Sequence, residues 1–156
     1  MKILYICTHN RCRSILSEAI TNHVSQGAII AKSAGSQPSG QVHPLSIHYL
    51  QEAGIPVAGL QSQSWDEFED FAPDVVVTVC DSAAGEACPV WFGNTVKVHW
   101  GLSDPSKIEG SEEQKADGFR ACIAEITERV NKLMPLANQA MTAQQLREAL
   151  AALGAK

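Results

Sequence analysis

What the chain lacks narrows its function first. It has no basic excess: 12 Lys and Arg stand against 17 Asp and Glu in 156 residues, a formal net charge of -5. A nucleic-acid surface needs Lys and Arg to neutralise phosphates, so a broad face of that kind is excluded while a local basic site is not. It has no long apolar run. The first, Lys2 to Ile6, gives way to His9, Asn10, Arg11 and Arg13, so no secretory signal is expected there. The longest, Val75-Val-Val-Thr-Val-Cys80, has the length of a strand and not of a membrane span. No membrane association and a cytoplasmic location are expected. It has no even set of cysteines: five stand at 7, 12, 80, 88 and 122. In a reducing compartment these are no disulfide framework, and catalysis, redox work or metal binding must be weighed instead. There is no internal repeat and no low-complexity block. The length, with 45% hydrophobic content, suits one domain with its own core.

What is present alternates. Short stretches rich in Ile and Val at Lys2 to Ile6, Ala28 to Lys32, Asp74 to Val79 and Thr95 to His99 read as strands, and their continuous apolarity predicts burial on both faces. Helices are expected over Ser14 to Gln26, over Pro44 to Ala53 closed by Gly54, and more weakly near Ser64 to Phe68. That alternation predicts an α/β fold, and right-handed crossovers make it a four-stranded parallel sheet of order 2-1-3-4 with helices on both faces. From Ser111 to Leu136, Phe119, Ile123, Ile126, Val130 and Leu133 or Met134 recur at helical spacing, predicting one long amphipathic helix that Pro135 breaks. Thr142 and Gln145 are spaced to cap a last helix bearing Leu146, Leu150 and Leu153 on one face. The expected organisation is a domain over 1–136 and a C-terminal helical extension over 137–156.

The chemistry is concentrated in CTHNRCRS, Cys7 to Ser14, between the first strand and the first helix. Ligands of doubly wound sheets bind at that carboxyl edge. A helix N-terminus offers N–H groups and positive potential to a tetrahedral oxyanion, and Arg13 can grip two of its oxygens. The same field favours a thiolate, since thiols in such places have pKa values lowered to roughly 3.5 to 7.5. Cys7 is therefore the candidate nucleophile. Thr8, His9, Asn10, Arg11, Cys12, Arg13 and Ser14 are the candidate oxyanion-binding residues.

Cys-x5-Arg-Ser resembles the signature loop of the low-molecular-weight protein tyrosine phosphatase family, which includes arsenate reductases. Ser33-Ala34-Gly35, His43-Pro44, Gly54-Ile55 and Asp104-Pro105 extend the resemblance over roughly Met1 to Leu136. It implies Cys7 as nucleophile, Arg13 as oxyanion clamp, Ser14 as hydrogen-bond donor to the Cys7 sulfur, Asp104 as general acid, and Asn10 as the residue that shapes the loop. Asn tolerates positive φ better than most residues, which suits that last role. Family loops usually carry Gly two residues after the nucleophile; here it is His9, and no Gly lies anywhere in the loop. His9 is read as an exposed rim residue.

Downstream the family divides. Its phosphotyrosine phosphatases place aromatic residues after Asp-Pro, whereas Asp104-Pro105 is followed by Ser106 and Lys107. Its thioredoxin-coupled arsenate reductases carry a cysteine at the end of the third strand and another a short loop later, which Cys80 and Cys88 match at a spacing one residue longer; some relatives put the second cysteine two after the first, where this chain has Ser82. The resemblance thus implies reduction of arsenate through Cys7, Cys80 and Cys88 in turn, with thioredoxin or glutathione and glutaredoxin as electron donor. The alternative is a phosphatase working through a phosphocysteine on phosphotyrosine or small phosphomonoesters. Several relatives bind potassium; Asn10, Glu18 and Ser33 match three ligand positions, but the fourth, usually aspartate, is Gln63, so no metal and no cofactor are expected. A zinc site from Cys80, Cys88 and His99 is disfavoured by their wide spacing. Cys12 and Cys122 are read as packing, the acidic group Asp66, Glu67, Glu69 and Asp70 as a solvated face, and His99-Trp100-Gly101 as packing that positions the Asp104 loop.

Overall fold

The computed structural model describes residues 1–71, 73–79, 96–101, 105, 108–137 and 142–154. Four parallel strands form one sheet: β1 (Lys2–Ile6), β2 (Ile30–Ala34), β3 (Val75–Thr78) and β4 (Val96–His99). Their order is β2-β1-β3-β4, as the alternation predicts. The helices are α1 (Arg13–Ser25), α2 (Pro44–Glu52), α3 (Glu112–Ala137) and α4 (Ala143–Gly154), with a 3₁₀ turn over Trp65–Phe71.

The expectation of two-sided burial holds for the central strands only. Ile3, Leu4, Tyr5 and Ile6 of β1 and Val75, Val76 and Val77 of β3 are all buried. The outer strands alternate instead: β2 exposes Ile30 and Lys32 while burying Ala31 and Ser33, and β4 exposes Lys97 and His99 while burying Val96 and Val98. Strands at a sheet's edge are covered less completely, so the period of two returns.

Most boundaries fall within a residue of the sequence reading, and two elements depart from it in a way that has a physical cause. β2 begins and ends two residues later than expected, because Gln26 (φ 51) and Gly27 (φ 92) still belong to the left-handed exit from α1. Ser33 and Ala34, poor strand formers by propensity, pair with Tyr5 and Ile6 of β1, and that pairing decides the matter. Pro135 does not break α3, which runs on to Ala137. A proline removes one intrahelical donor, and in the last turn only two further residues follow it.

α3 buries Ala116, Phe119, Cys122, Ile123, Ile126, Val130 and Leu133 along one stripe. Thr142 and Gln145 form a reciprocal capping box on α4: the Thr142 N–H donates to Gln145 Oε1 and the Gln145 N–H to Thr142 Oγ1, both at 3.1 Å. α4 packs on β4 and α3, with Leu150 fully buried and Leu146 partly so. At the end of β4, the Trp100 N–H donates to the Thr78 carbonyl of β3 (2.8 Å), and Trp100 Nε1–H donates to the Leu150 carbonyl of α4 (2.7 Å). Among the described residues no helix is long and apolar enough to cross a membrane.

Candidate active site

The Cys7 to Cys12 loop joins β1 to α1 at the carboxyl edge of the two central strands. It is tied at its base, where the Cys7 N–H donates to the Ala34 carbonyl of β2 (3.3 Å) and the Val79 N–H to the Ile6 carbonyl (3.0 Å). Cys7 and Cys12 are buried, Asn10 and Ser14 completely so, while His9 and Arg11 lie at the exposed rim and Thr8 and Arg13 are partly covered.

The loop's shape is imposed from outside. Its carbonyls accept from donors far along the chain: Thr8 from the Gln37 N–H (2.9 Å), His9 from the Ser39 N–H (3.0 Å) and Ser62 Oγ (3.1 Å), Arg11 from the His43 N–H (2.9 Å). In a trans peptide the N–H lies opposite the preceding carbonyl. Drawing the carbonyls of Thr8 and Arg11 outward therefore turns the N–H groups of His9 and Cys12 toward the concave side. Such an arrangement suits an anion, as do the N-terminus of α1 and the charges of Arg11 and Arg13.

Asn10 is the keystone. It is the one loop residue with positive φ (45°), a conformation that Asn tolerates better than most residues. Its Nδ2–H donates to Ser14 Oγ and its Oδ1 accepts from the Gln63 N–H, each at 2.8 Å. A hydroxyl has one proton; because Ser14 Oγ accepts from Asn10, that proton is left to point elsewhere. His9 donates through Nδ1 to the Gln37 carbonyl at 3.1 Å, since a carbonyl only accepts, and this fixes its tautomer.

Behind the loop lies a chain of polar contacts. Ser33 Oγ donates to the buried Glu18 carboxyl at 2.6 Å, and Gln63 Nε2–H donates to the Ser33 carbonyl at 3.4 Å. Burial pushes the Glu18 carboxyl up from its ordinary pKa, an effect that the Ser33 hydroxyl partly offsets. Gly35 crosses so close to the loop that a Cβ there would meet the carbonyl oxygens of Thr8 and Cys7. This accounts for the Gly of Ser33-Ala34-Gly35.

The structure thus places Cys7, Thr8, His9, Asn10, Arg11 and Cys12 in one loop, with Arg13 and Ser14 in the first turn of α1 directly after it. Cys80, Cys88 and Asp104 lie outside the described residues; Pro105, beside Asp104, is buried. The sequence reading missed Gln37, Ser39 and Ser62, which reach the loop from 28 to 53 positions away in contacts no local motif encodes, and Gln63, read only as a lost ligand, which instead pins Asn10.

The sequence pattern described as low molecular weight phosphotyrosine protein phosphatase matches residues 2–150. Among similar proteins, an arsenate reductase of Halalkalibacterium halodurans is 35% identical over 128 residues, covering 82% of this chain and 91% of that protein. A glutaredoxin arsenate reductase of Synechocystis sp. is 29% identical over 133 residues, 85% and 95% of the two. Among solved structures, the thioredoxin-dependent arsenate reductase of Corynebacterium glutamicum superposes with a TM-score of 0.66 at 26% identity, over 87% of this chain and 61% of that one.

Proposed function

The chain belongs to the low molecular weight phosphotyrosine protein phosphatase family, and from that premise we propose that it reduces arsenate to arsenite. The observation that carries the reading is the loop held open from outside around a buried Cys7, in a chain similar over most of its length to arsenate reductases.

In this reading arsenate enters the loop as phosphate would, with its oxygens on the inward N–H groups and the Arg13 guanidinium. The Ser14 hydroxyl, oriented by Asn10, donates to the Cys7 sulfur and lowers the cost of the thiolate. The thiolate attacks arsenic; one arsenate oxygen leaves as water, with Asp104 supplying a proton. Cys80 as thiolate then attacks the Cys7 sulfur. The electron pair of the sulfur–arsenic bond passes to arsenic, which leaves as arsenite, and a Cys7–Cys80 disulfide remains. Cys88 attacks Cys80, freeing Cys7 and leaving a Cys80–Cys88 disulfide for an external dithiol. Two electrons enter arsenic and two leave the thiols. The external reductant is thioredoxin, or glutathione with glutaredoxin; the similar proteins include one named for each system.

The test is arsenate-dependent NADPH consumption with thioredoxin and thioredoxin reductase, beside glutathione, glutaredoxin and glutathione reductase, for wild type and Cys88→Ser. Thioredoxin-supported turnover that disappears in Cys88→Ser is the expected result. Turnover only with glutathione and indifferent to Cys88 reassigns the last step. No arsenate turnover, with fast aryl phosphate hydrolysis insensitive to Cys80 and Cys88 substitution, refutes the reductase in favour of a phosphatase.

A further inference from the structure

Beside the signature loop, and sharing no residue with it, α2 and the first turn of α3 frame an open cavity of about 520 Å³ lined by Pro44, Leu45, His48, Tyr49, Glu112 and Lys115. Both helix starts are fixed. The Leu45 N–H donates to His43 Nδ1 (3.1 Å) at the head of α2, and Ser111 with Gln114 forms a reciprocal capping box on α3, at 2.8 and 3.2 Å. The head of α2 is also tied to the loop, since the His43 N–H (2.9 Å) and the Ser46 hydroxyl (3.4 Å) both donate to the Arg11 carbonyl.

Two polar groups in the cavity wall have no partner. Tyr49 is 9% exposed, and its hydroxyl makes no hydrogen bond among the described residues. Lys115 is partly buried, and its ammonium has neither an ion pair nor a hydrogen bond among the described residues. Burial of such groups is costly unless something bonds to them. The Tyr49 ring is held in place. It stacks on Phe119 (centroids 5.0 Å apart, planes at 26°), meets His48 edge-on at 4.7 Å and lies 6.0 Å from the Arg120 guanidinium, which Glu52 holds at 2.7 Å. The cavity therefore joins an apolar and aromatic wall to a hydroxyl and a cation. The charges narrow what fits. Lys115 and the two helix starts attract an anion, while the exposed Glu112 opposes a second negative charge and Arg120 is already neutralised by Glu52. Dianions such as phosphate and arsenate are disfavoured, and a monoanion with an apolar body is matched.

We propose that this cavity is a second binding site, for a small monocarboxylate with an apolar or aromatic body: Lys115 and the Tyr49 hydroxyl donate to the carboxylate, and Pro44, Leu45 and His48 cover the body. A cleft of this size, mostly apolar with a few polar groups that fix orientation, is the usual form of a small-molecule site. The site is separate from the oxyanion loop and stands whether or not the chain reduces arsenate.

The test is titration of the full chain with hydrocinnamate, followed by amide NMR shifts, beside hydrocinnamyl alcohol as the uncharged counterpart and inorganic phosphate as a competitor. Saturable shifts at residues 44–49 and 112–115, with a Kd of about 1 mM, are expected. The alcohol should bind at least about fivefold more weakly, and phosphate should leave the Kd for hydrocinnamate unchanged. Tyr49→Phe keeps the ring and removes the hydroxyl, and Lys115→Gln keeps a long polar side chain and removes the charge. Each is expected to weaken binding by about tenfold, with amide shifts away from the cavity unchanged as the check on folding. Absence of saturation up to about 20 mM, an affinity equal to that of the alcohol, displacement by phosphate, or a Kd indifferent to either substitution overturns the proposal.

Discussion

Substituting Asn10 separates the loop's shape from its chemistry. Asn10 is fully buried, has φ of 45°, donates to Ser14 Oγ and accepts from the Gln63 N–H. Asn10→Ala removes both hydrogen bonds, each worth about 1 kcal/mol or more where a partner is left buried and unpaired, and puts a Cβ without a polar group into a left-handed conformation at a further cost of about 1 kcal/mol. The sum is about 3 to 4 kcal/mol. Asn10→Gly suffers the first loss but not the second, so it should be the more stable of the two by about 1 kcal/mol. Asn10→Asp keeps the acceptor for Gln63 and a side chain that tolerates positive φ, yet it reverses the bond to Ser14. A carboxylate only accepts, so the single proton of the Ser14 hydroxyl turns toward it and away from the Cys7 sulfur. Stability should fall less than in Asn10→Ala, while arsenate turnover falls at least tenfold and alkylation of Cys7 begins at higher pH. Urea unfolding by circular dichroism gives the first quantity, and iodoacetamide labelling across pH, read on the Cys7 peptide by mass spectrometry, gives the last. Unchanged Cys7 labelling and turnover in Asn10→Asp would refute the proton-direction argument. A cost below about 1 kcal/mol for Asn10→Ala would refute the shaping role.

Two other perturbations test the surroundings. Gly35→Ala places a methyl against the carbonyl oxygens of Thr8 and Cys7, which are backbone and cannot step aside; a cost of about 3 kcal/mol is expected, with turnover falling alongside, and a thermal melt within 2 °C, on the order of 0.5 kcal/mol, would count against the close approach. Burial raises the Tyr5 phenol from its ordinary 10 to about 12, against the weaker pull of the Thr21 hydroxyl, to which it is hydrogen-bonded at 2.8 Å. A raised folded pKa means stability that is fully present below pH 10 and lost as pH climbs toward 12, by about 3 kcal/mol for two pKa units. Tyr5→Phe should be about 1 kcal/mol less stable at pH 7 yet lack this alkaline loss; parallel unfolding curves for the two proteins between pH 9 and 12 would sink the assignment.

The parts of the fold that the sequence made legible are those where one stretch decides its own structure. Continuous apolarity marked β1 and β3, helical spacing marked α3, and Thr142 with Gln145 marked the start of α4. Where a neighbour decides, the reading slipped: β2 ends at Ala34 because β1 pairs with it there, and α3 passes Pro135 because a helix near its end has little left to lose. The same division runs through the site. The strand, the thiol, the arginine and the helix start are contiguous and could be read. Gln37, Ser39, Ser62 and Gln63 donate backbone or hydroxyl hydrogens that almost any sequence offers, so only the fold reveals that they hold the loop.

The outside anchoring of the loop also fixes an order of events. Residues 7–14 precede their own supports along the chain: their carbonyls are gripped by residues 37, 39, 43 and 62, Asn10 is pinned by residue 63, and the strand that leads into them pairs with residues 75–78. A nascent chain that ends before residue 62 therefore carries the whole signature without Ser62, Gln63 and β3 to hold its shape. Contacts of such sequence separation form late, because their loop-closure entropy must be met first. The thiol should therefore become reactive only after the residues that grip its loop, up to β3, have been made and have folded onto it, so the emerging chain stays chemically quiet until then.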